Sequence, residues 1–214
     1  MKKDALYVKC ILIEALKTEL DEPLRDHGFS RSAKSVIYTR SFQESKQELA
    51  FNTGSFPRYK RGADAHLLPA FYWISKSIKQ RSLELVEGNS ILVAGTSNVI
   101  LNHPFQWLAP KEYYTDWYAT GPEEFSISCR NIRDFLFKWV LPFVDKACSS
   151  ADLVNLYEQN DSRMLKQPHT YVYIIAAYQI LGEEEKAREV VLKHFSKPGS
   201  KSLYKVLFKS LGLE

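Results

Sequence analysis

Residues 35–42 read Ser-Val-Ile-Tyr-Thr-Arg-Ser-Phe, and their β-branched and aromatic side chains recur with a period of two. Residues 43–45, Gln-Glu-Ser, are polar and typical of a turn, and residues 47–54 then resume the alternation. This spacing predicts a β-hairpin that pairs residues 35–42 with residues 47–54. Because the strands of a hairpin run in opposite directions, the stretch predicts an antiparallel sheet.

The segments on either side extend this pattern. Before the hairpin, apolar residues at helical spacing predict a helix over about 4–20 that resumes to 26, with Asp4 as its N-cap and Gly28 after its end. After it, residues 68–78 fit a strand or a helix. Three short apolar runs are predicted as strands, at residues 83–86, 91–93 and 99–101. Residues 102–122 are predicted as a long loop, or a loop with a final strand around Trp117.

From about residue 123 the pattern becomes helical and stays so. Pro142 predicts a bend in the first of these helices, and Ser150 is expected to cap the next. Pro168 fits the first turn of a helix that ends at Leu181-Gly182. Two more are predicted, at residues 183–195 and at residues 201–211 with Ser200 as cap. The fold class is therefore α+β: an N-terminal helix, an antiparallel sheet with a hairpin, and a C-terminal extension of four to five helices. We predict an α+β domain over 1–150 and, packed on it, a helical extension over 151–214.

The composition excludes several classes of protein. The 214 residues are 45% hydrophobic and 25% charged, which is ordinary for a globular chain. The net charge is +4, and residues 193–214 alone contribute +4 from five lysines and one glutamate, so residues 1–192 sum to zero. The body is thus not the basic surface expected of a general nucleic-acid binder. Three unpaired cysteines and the lack of a long apolar run predict a cytoplasmic protein without a membrane segment.

Motifs for metal, cofactor and nucleophilic chemistry are missing from the sequence. The five histidines are not spaced with a cysteine or another histidine as metal ligands would be. There is no Walker loop, no Gly-x-Gly-x-x-Gly and no Gly-x-Ser-x-Gly. Cys129 follows Ser128 and precedes Arg130 at the start of an apolar helix, and we interpret it as a small buried hydrophobic residue. We therefore expect no metal site, no cofactor and no motif-based catalytic residue.

Two segments resemble known families. The order Leu24-Arg-Asp-His-Gly-Phe29, Val36-Ile-Tyr-Thr-Arg40, Leu49-Ala-Phe-Asn-Thr-Gly54 and Val140-Leu-Pro-Phe143 resembles the bacterial domain-of-unknown-function family number 4304, over about residues 10–158. The resemblance implies a bacterial α+β protein and transfers no catalytic residue. Residues 176–187 resemble half of a tetratricopeptide repeat. Since one copy cannot form a solenoid, we expect plain helix-pair packing there.

The aromatic segment 102–121 suggests the main functional hypothesis. Tyrosine and tryptophan anchor protein interfaces at a low cost in conformational entropy. We therefore expect a non-enzymatic protein-binding module, for example an immunity-type protein that occludes a toxin. The neutral body does not favour a basic nuclease as that toxin. The candidate partner-binding residues are Trp107, Tyr113, Tyr114, Trp117 and Tyr118.

Two alternatives stay open. The loop residues Arg58, Tyr59, Lys60 and Arg61 combine cations with a ring, which suits phosphates and stacked bases, so nucleic-acid association is the first. Arg31, Lys34 and Arg40 are expected near this loop. The second is an enzyme whose site is assembled from distant residues. It would require a histidine and an acid to meet in one pocket, chosen from His27, His66 or His103 and Asp116 or Glu112.

Overall fold

The computed structural model describes residues 4–213 and confirms the α+β class. These residues form two compact units. Unit 1 comprises the described residues within Met1–Ser41, Gln47–Tyr72 and Asn102–Lys146. Unit 2 comprises those within Phe42–Lys46, Trp73–Leu101 and Ala147–Glu214.

Five strands form one antiparallel sheet in the order β1-β2-β3-β4, with β5 paired to β3. They are β1 Ile37–Ser41, β2 Lys46–Ser55, β3 Ala65–Ile74, β4 Val99–Pro104 and β5 Trp117–Ala119. The predicted hairpin is confirmed, since β1 and β2 are neighbours and the amide of Phe42 donates to the carbonyl of Ser45 at 2.8 Å. The final strand expected around Trp117 is confirmed as β5. Its register on β3 places His66 opposite Tyr118.

The helices account for most of the remaining chain. They are α1 Ala5–Glu19, α2 Asp21–Asp26, α3 Lys76–Leu85, α4 Gly121–Phe135, α5 Leu141–Val144, α6 Ser150–Glu158, α7 Pro168–Ile180, α8 Glu184–Phe195, α9 Pro198–Leu203 and α10 Lys205–Ser210. Short 3-10 turns lie at Ser90–Val93, Phe105–Leu108 and Lys111–Tyr113. In unit 1, α1 packs on α4; in unit 2, α7 packs on α3, α6 and α8.

Each unit has its own apolar interior. In unit 1 it contains Leu12, Leu16, Phe51, Phe71, Phe125, Ile132 and Phe143. In unit 2 it contains Trp73, Ile78, Val93, Ile175, Val191 and Phe195. Helix ends follow the predicted local chemistry: the Asp4 carboxylate accepts from the Tyr7 amide at 2.9 Å, and Gly182 adopts a φ of +76° just after α7.

Two of the three short apolar runs are not strands. Residues 83–85 form the last turn of α3, and residues 91–93 belong to a 3-10 turn, while residues 99–101 do enter β4. The strand prediction was wrong for the first two because a side-chain cap starts a helical turn at each. The Asn89 side chain accepts from the Ile91 amide at the 3-10 turn, and Ser75 caps α3. The Ser75 hydroxyl accepts from the Ile78 amide, and Ile78, Ser82 and Leu85 then face inward at helical spacing.

Two predicted caps are also corrected. Ser149, not Ser150, caps α6, since its hydroxyl accepts from the Asp152 amide; the Ser150 hydroxyl and amide instead donate to the Glu44 carboxylate. Ser200 lies inside α9, because Pro198 already suits the first turn of that helix. The single helix predicted over 201–211 is broken at Tyr204, whose ring is buried 4.4 Å from that of Phe195.

The bend predicted from Pro142 coincides with a change in helix type. Helix α4 passes into a π-helical segment, Leu136–Val140, before α5 begins. Pro142 has no amide hydrogen to donate to the preceding turn, so the regular ladder is interrupted there. The wider turn holds Lys138 and Trp139, which contribute to the surface described next.

Candidate functional site

Three of the five predicted partner-binding rings are exposed on unit 1. Trp107 lies in the turn Phe105–Leu108 and keeps 47% of its surface exposed. Tyr113 and Tyr114, at the end of the turn Lys111–Tyr113, keep 46% and 45%. These fractions are high for large rings in an ordered segment, so the side chains can contact a partner without rearrangement of the core.

The Tyr113 ring rests on the π-helical segment. The ring centroids of Tyr113 and Trp139 lie 4.8 Å apart, and the Lys138 ammonium lies 5.1 Å and 4.8 Å from them. The turn that contains Trp107 packs against the turn that contains Tyr113 and against the π-helical segment. We call the residues Trp107, Tyr113, Tyr114, Lys138 and Trp139 the aromatic surface.

The structure separates Trp117 and Tyr118 from this surface. Trp117 is only 5% exposed, because β5 directs its ring against Phe135 at 5.3 Å, and it therefore offers little area to a partner. Tyr118, the next residue, is half-buried and stacks on His66 with centroids 4.5 Å apart. Alternation along a strand explains why neighbouring rings part in this way.

Residues 58–61, which we call the basic loop, form a loop as predicted, and it lies between β2 and β3. Arg58, Lys60 and Arg61 are exposed, and none has a carboxylate within 4.0 Å in the described part of the chain. Tyr59 keeps 70% of its surface exposed, yet its hydroxyl is anchored to Nδ1 of His66 at 2.8 Å. The loop therefore presents three uncompensated cations beside a ring of fixed orientation.

The basic loop and the aromatic segment meet at His66. Its Nδ1 faces Tyr59, its Nε2 lies 3.3 Å from a carboxylate oxygen of Asp116, and its ring stacks on Tyr118. The Lys60 ammonium lies 5.4 Å from the Tyr118 ring. We call these five residues the His66 cluster. It joins two residues of the predicted nucleic-acid loop with one of the predicted partner-binding rings.

The His66 cluster meets one condition of the enzyme hypothesis, since His66 and Asp116 do converge. His66 is only 8% exposed, with Tyr59 and Asp116 next to its two nitrogens, so the arrangement orients Tyr59. Its Nε2 makes no well-aligned hydrogen bond. His27 packs on Phe137 instead, and His103 is buried near Phe143.

Other residues considered from the sequence have structural surroundings. Arg31 pairs with Asp21 at 2.7 Å, and Arg40 pairs with Asp145 at 2.7 Å, so both cations are engaged away from the basic loop. Cys129 is fully buried; burial, and then the charge of Glu19, raise the pKa of its thiol to about 12. This confirms its interpretation as a small hydrophobic residue, because a thiol of this pKa is not a thiolate near neutral pH.

Sequence reasoning missed Lys138 and Trp139. Trp139 falls within the helical pattern that begins at about residue 123, but it lies in the π-helical segment, half-buried beside Tyr113. The signal was present in Pro142, which marks where the helical ladder fails. The position of the wider turn depends on packing and was not readable from the sequence.

Residues 4–213 contain no group of three or more histidine, cysteine, aspartate or glutamate side chains placed to hold a metal ion. Over the same residues, every helix is too short or too polar to cross a membrane. Comparison of the chain with known protein families, with curated proteins and with solved structures finds no match to any of them. The resemblance to domain-of-unknown-function family number 4304 therefore stays a prediction.

Proposed function

We propose that this chain is a non-enzymatic protein-binding module whose contact site is the aromatic surface of unit 1. The observation that supports this most is the exposure of Trp107, Tyr113 and Tyr114 within an ordered, mutually packed segment. Large rings of this kind dominate the binding energy of protein interfaces, since they bury much area with few rotatable bonds.

The charges beside these rings indicate the chemistry of the partner. Lys111 and Lys138 are exposed and have no carboxylate within 4.0 Å among residues 4–213. The exposed Glu112 lies in the same turn as Lys111, so these three charges sum to one positive. A partner with an apolar centre and aspartate or glutamate at its rim would complement this arrangement. An immunity-type protein that occludes a toxin is the more specific form of the proposal, and the toxin should then carry acidic groups where it meets Lys138.

Combined replacement of Trp107, Tyr113 and Tyr114 by serine is expected to weaken partner binding by at least about a hundredfold, because single interface rings often contribute more than about 2 kcal/mol. The binding measurement is biolayer interferometry against the co-expressed product of the adjacent gene. Circular dichroism verifies that the variant is folded.

The matched control is Ile91→Ser, which removes an exposed apolar side chain from unit 2. It should leave the affinity unchanged. Undiminished binding by the triple variant would refute the aromatic surface as the contact site, and equal losses in both variants would point to nonspecific hydrophobic adhesion.

Nucleic-acid association through the basic loop is the second candidate. It is favoured by the contact of Lys60 with Tyr118, and by the anchoring of the exposed Tyr59 ring on His66. Cations without carboxylate partners can neutralise phosphates, while a fixed ring offers a stacking platform for an unpaired base.

If the loop binds single-stranded oligonucleotides, the logarithm of the binding constant should fall linearly with the logarithm of salt concentration. Arg58→Glu with Arg61→Glu should then reduce binding by about tenfold or more at low salt, as fluorescence anisotropy would measure. Lys9→Glu with Lys146→Glu, at exposed positions outside the loop, is the charge-matched control. If the unaltered protein does not change the anisotropy of the oligonucleotide at low salt, nucleic-acid association is eliminated as a candidate.

A further inference from the structure

Unit 2 contains a cavity of about 510 Å³ that neither proposed function uses. It lies among α6, α7 and α8 and the segment that joins α6 to α7. Cavities of about 300–1,000 Å³ are typical of small-molecule sites. Its apolar part is formed by Leu156, Met164, Leu165, Ile174 and Val190.

One end of the cavity is a rigid group of rings. Tyr171 and His194 stack with centroids 3.6 Å apart and an interplanar angle of 12°. The Tyr157 hydroxyl lies 2.9 Å from Nε2 of His194. Burial, together with the charge of Lys193, lowers the pKa of His194, so its imidazole is neutral near pH 7. A rigid wall of this kind suits the flat face of a ligand, because little side-chain entropy is lost on binding.

The carboxylates of the lining are mostly occupied. Glu158 pairs with Lys186 at 2.9 Å and also accepts from the Tyr178 hydroxyl at 3.0 Å. Asp161 pairs with Arg163. These contacts compensate the charges at that end of the cavity, so they do not call for a charged ligand.

Two lysines of the lining are not compensated in this way. The Lys193 ammonium lies 5.5 Å from the Tyr157 ring and has no carboxylate within 4.0 Å in the described chain. Lys166 contacts only the amide oxygen of Asn160, at 3.0 Å, within the same residues. Glu189 is the lining acid left without an ion pair among residues 4–213, so the uncompensated charges sum to one positive.

We propose that this cavity binds a small organic anion with a flat apolar body. The body lies against the Tyr157–Tyr171–His194 rings and the apolar residues, and its anionic group, a carboxylate, sulfonate or phosphate, contacts Lys193. The chemistry follows from the packed ring wall together with a cation that contacts a ring but has no carboxylate partner within 4.0 Å among residues 4–213.

The test uses two fluorescent probes that share one ring system. The anionic probe is 8-anilinonaphthalene-1-sulfonate, and N-phenyl-1-naphthylamine is its counterpart without the sulfonate. The full chain should bind the anionic probe at one saturable site, and at least about tenfold more tightly than the neutral one. Equal affinity for the two probes would overturn the assignment of an anion.

Two charge-matched variants locate the anionic group. Lys193→Glu should lower the affinity for the anionic probe by at least about tenfold and leave the affinity for the neutral probe nearly unchanged. Lys197→Glu makes the same change of charge at an exposed position outside the cavity lining, and should leave both affinities unchanged. Equal losses in the two variants would show that only the overall charge matters, which contradicts the proposal.

Amide chemical shifts in a nitrogen-15 correlation spectrum then identify the site. Shifts concentrated in α6, α7 and α8 on addition of the anionic probe are the expected result. Shifts concentrated in unit 1 would place the probe elsewhere and overturn the inference. The spectra of the two variants without probe show that both are folded, so a lost interaction cannot be mistaken for unfolding.

Discussion

Replacement of Arg31 by methionine is expected to lower the free energy of unfolding by about 3–5 kcal/mol. The Arg31 side chain is only 3% exposed, and its guanidinium donates to both carboxylate oxygens of Asp21, at 2.7 Å and 3.1 Å. It also donates to the carbonyl of Ser35 at 2.9 Å. Methionine fills similar space but removes the guanidinium donors of the partly buried carboxylate and of this carbonyl.

Tyr38 limits the expected loss but does not prevent it. Its hydroxyl donates to Asp21 at 2.6 Å, and burial followed by this hydrogen bond raises the pKa of Tyr38. The phenol therefore stays protonated and keeps donating. It cannot replace the positive charge of Arg31, so the Asp21 carboxylate would remain in unit 1 without a counter-ion.

Urea denaturation followed by tryptophan fluorescence measures this effect. Arg31→Lys retains the charge but not the planar guanidinium. Its free energy of unfolding should therefore lie between those of the unaltered protein and the methionine variant. Arg58→Met removes an exposed arginine and should change the stability by less than about 0.5 kcal/mol. A loss below about 1 kcal/mol in Arg31→Met would show that the buried pair contributes little.

Replacement of Lys79 by methionine is expected to raise the free energy of unfolding near neutral pH by about 1–3 kcal/mol. Lys79 is buried in unit 2, where its ammonium contacts the Val93 carbonyl and, at 2.9 Å, the Tyr173 hydroxyl. It has no carboxylate partner within 4.0 Å among residues 4–213. Because the Tyr173 hydroxyl also donates to the Val93 carbonyl at 2.6 Å, both groups keep a partner when the lysine is removed.

The lowered pKa of Lys79 also predicts how the stability of the unaltered protein changes with pH. Burial lowers the pKa of Lys79 below its ordinary value of 10.5. Between the lowered pKa and 10.5 the unfolded chain holds a proton that the folded chain has lost. The stability of the unaltered protein therefore rises with pH in that window, and the cost of the buried charge is fully present below it. The advantage of Lys79→Met should accordingly shrink as the pH approaches 10.

Parallel urea titrations of the two proteins from pH 7 to pH 10 test whether the stability difference between them shrinks as the pH rises. Lys79→Ala is the companion variant, and it should be less stable than Lys79→Met by about 1–3 kcal/mol because it leaves a cavity. A difference between the methionine variant and the unaltered protein that stays constant with pH would mean that the folded-state pKa of Lys79 is not lowered.

Much of the secondary structure could be predicted from local chemistry. Asp4, Pro168 and Gly182 set helix ends through capping, a fixed φ and a positive φ, which depend on only a few neighbouring residues. Residues 83–86 and 91–93 could not be assigned in this way. Runs of three or four apolar residues fit both helix and strand, and the choice depended on the Ser75 and Asn89 caps and on packing within unit 2.

The candidate site was predictable only in part. Composition identified the rings of the aromatic segment but could not separate the exposed Trp107 from the buried Trp117. Their exposure depends on which side chains of the turn Phe105–Leu108 and of β5 face the core. The contact of His66 with Asp116 also joins residues far apart in the chain. It arises because β5 pairs with β3 in a register that places His66 opposite Tyr118.

Periodicity, capping residues and composition were enough to establish an α+β chain with an antiparallel hairpin, because these signals act over a few neighbouring positions. Burial of Lys79, exposure of the aromatic surface, formation of the His66 cluster and the cavity of unit 2 arose from contacts between distant segments. Such contacts depend on strand register and helix packing, which set the surroundings of each side chain and therefore its capacity to bind.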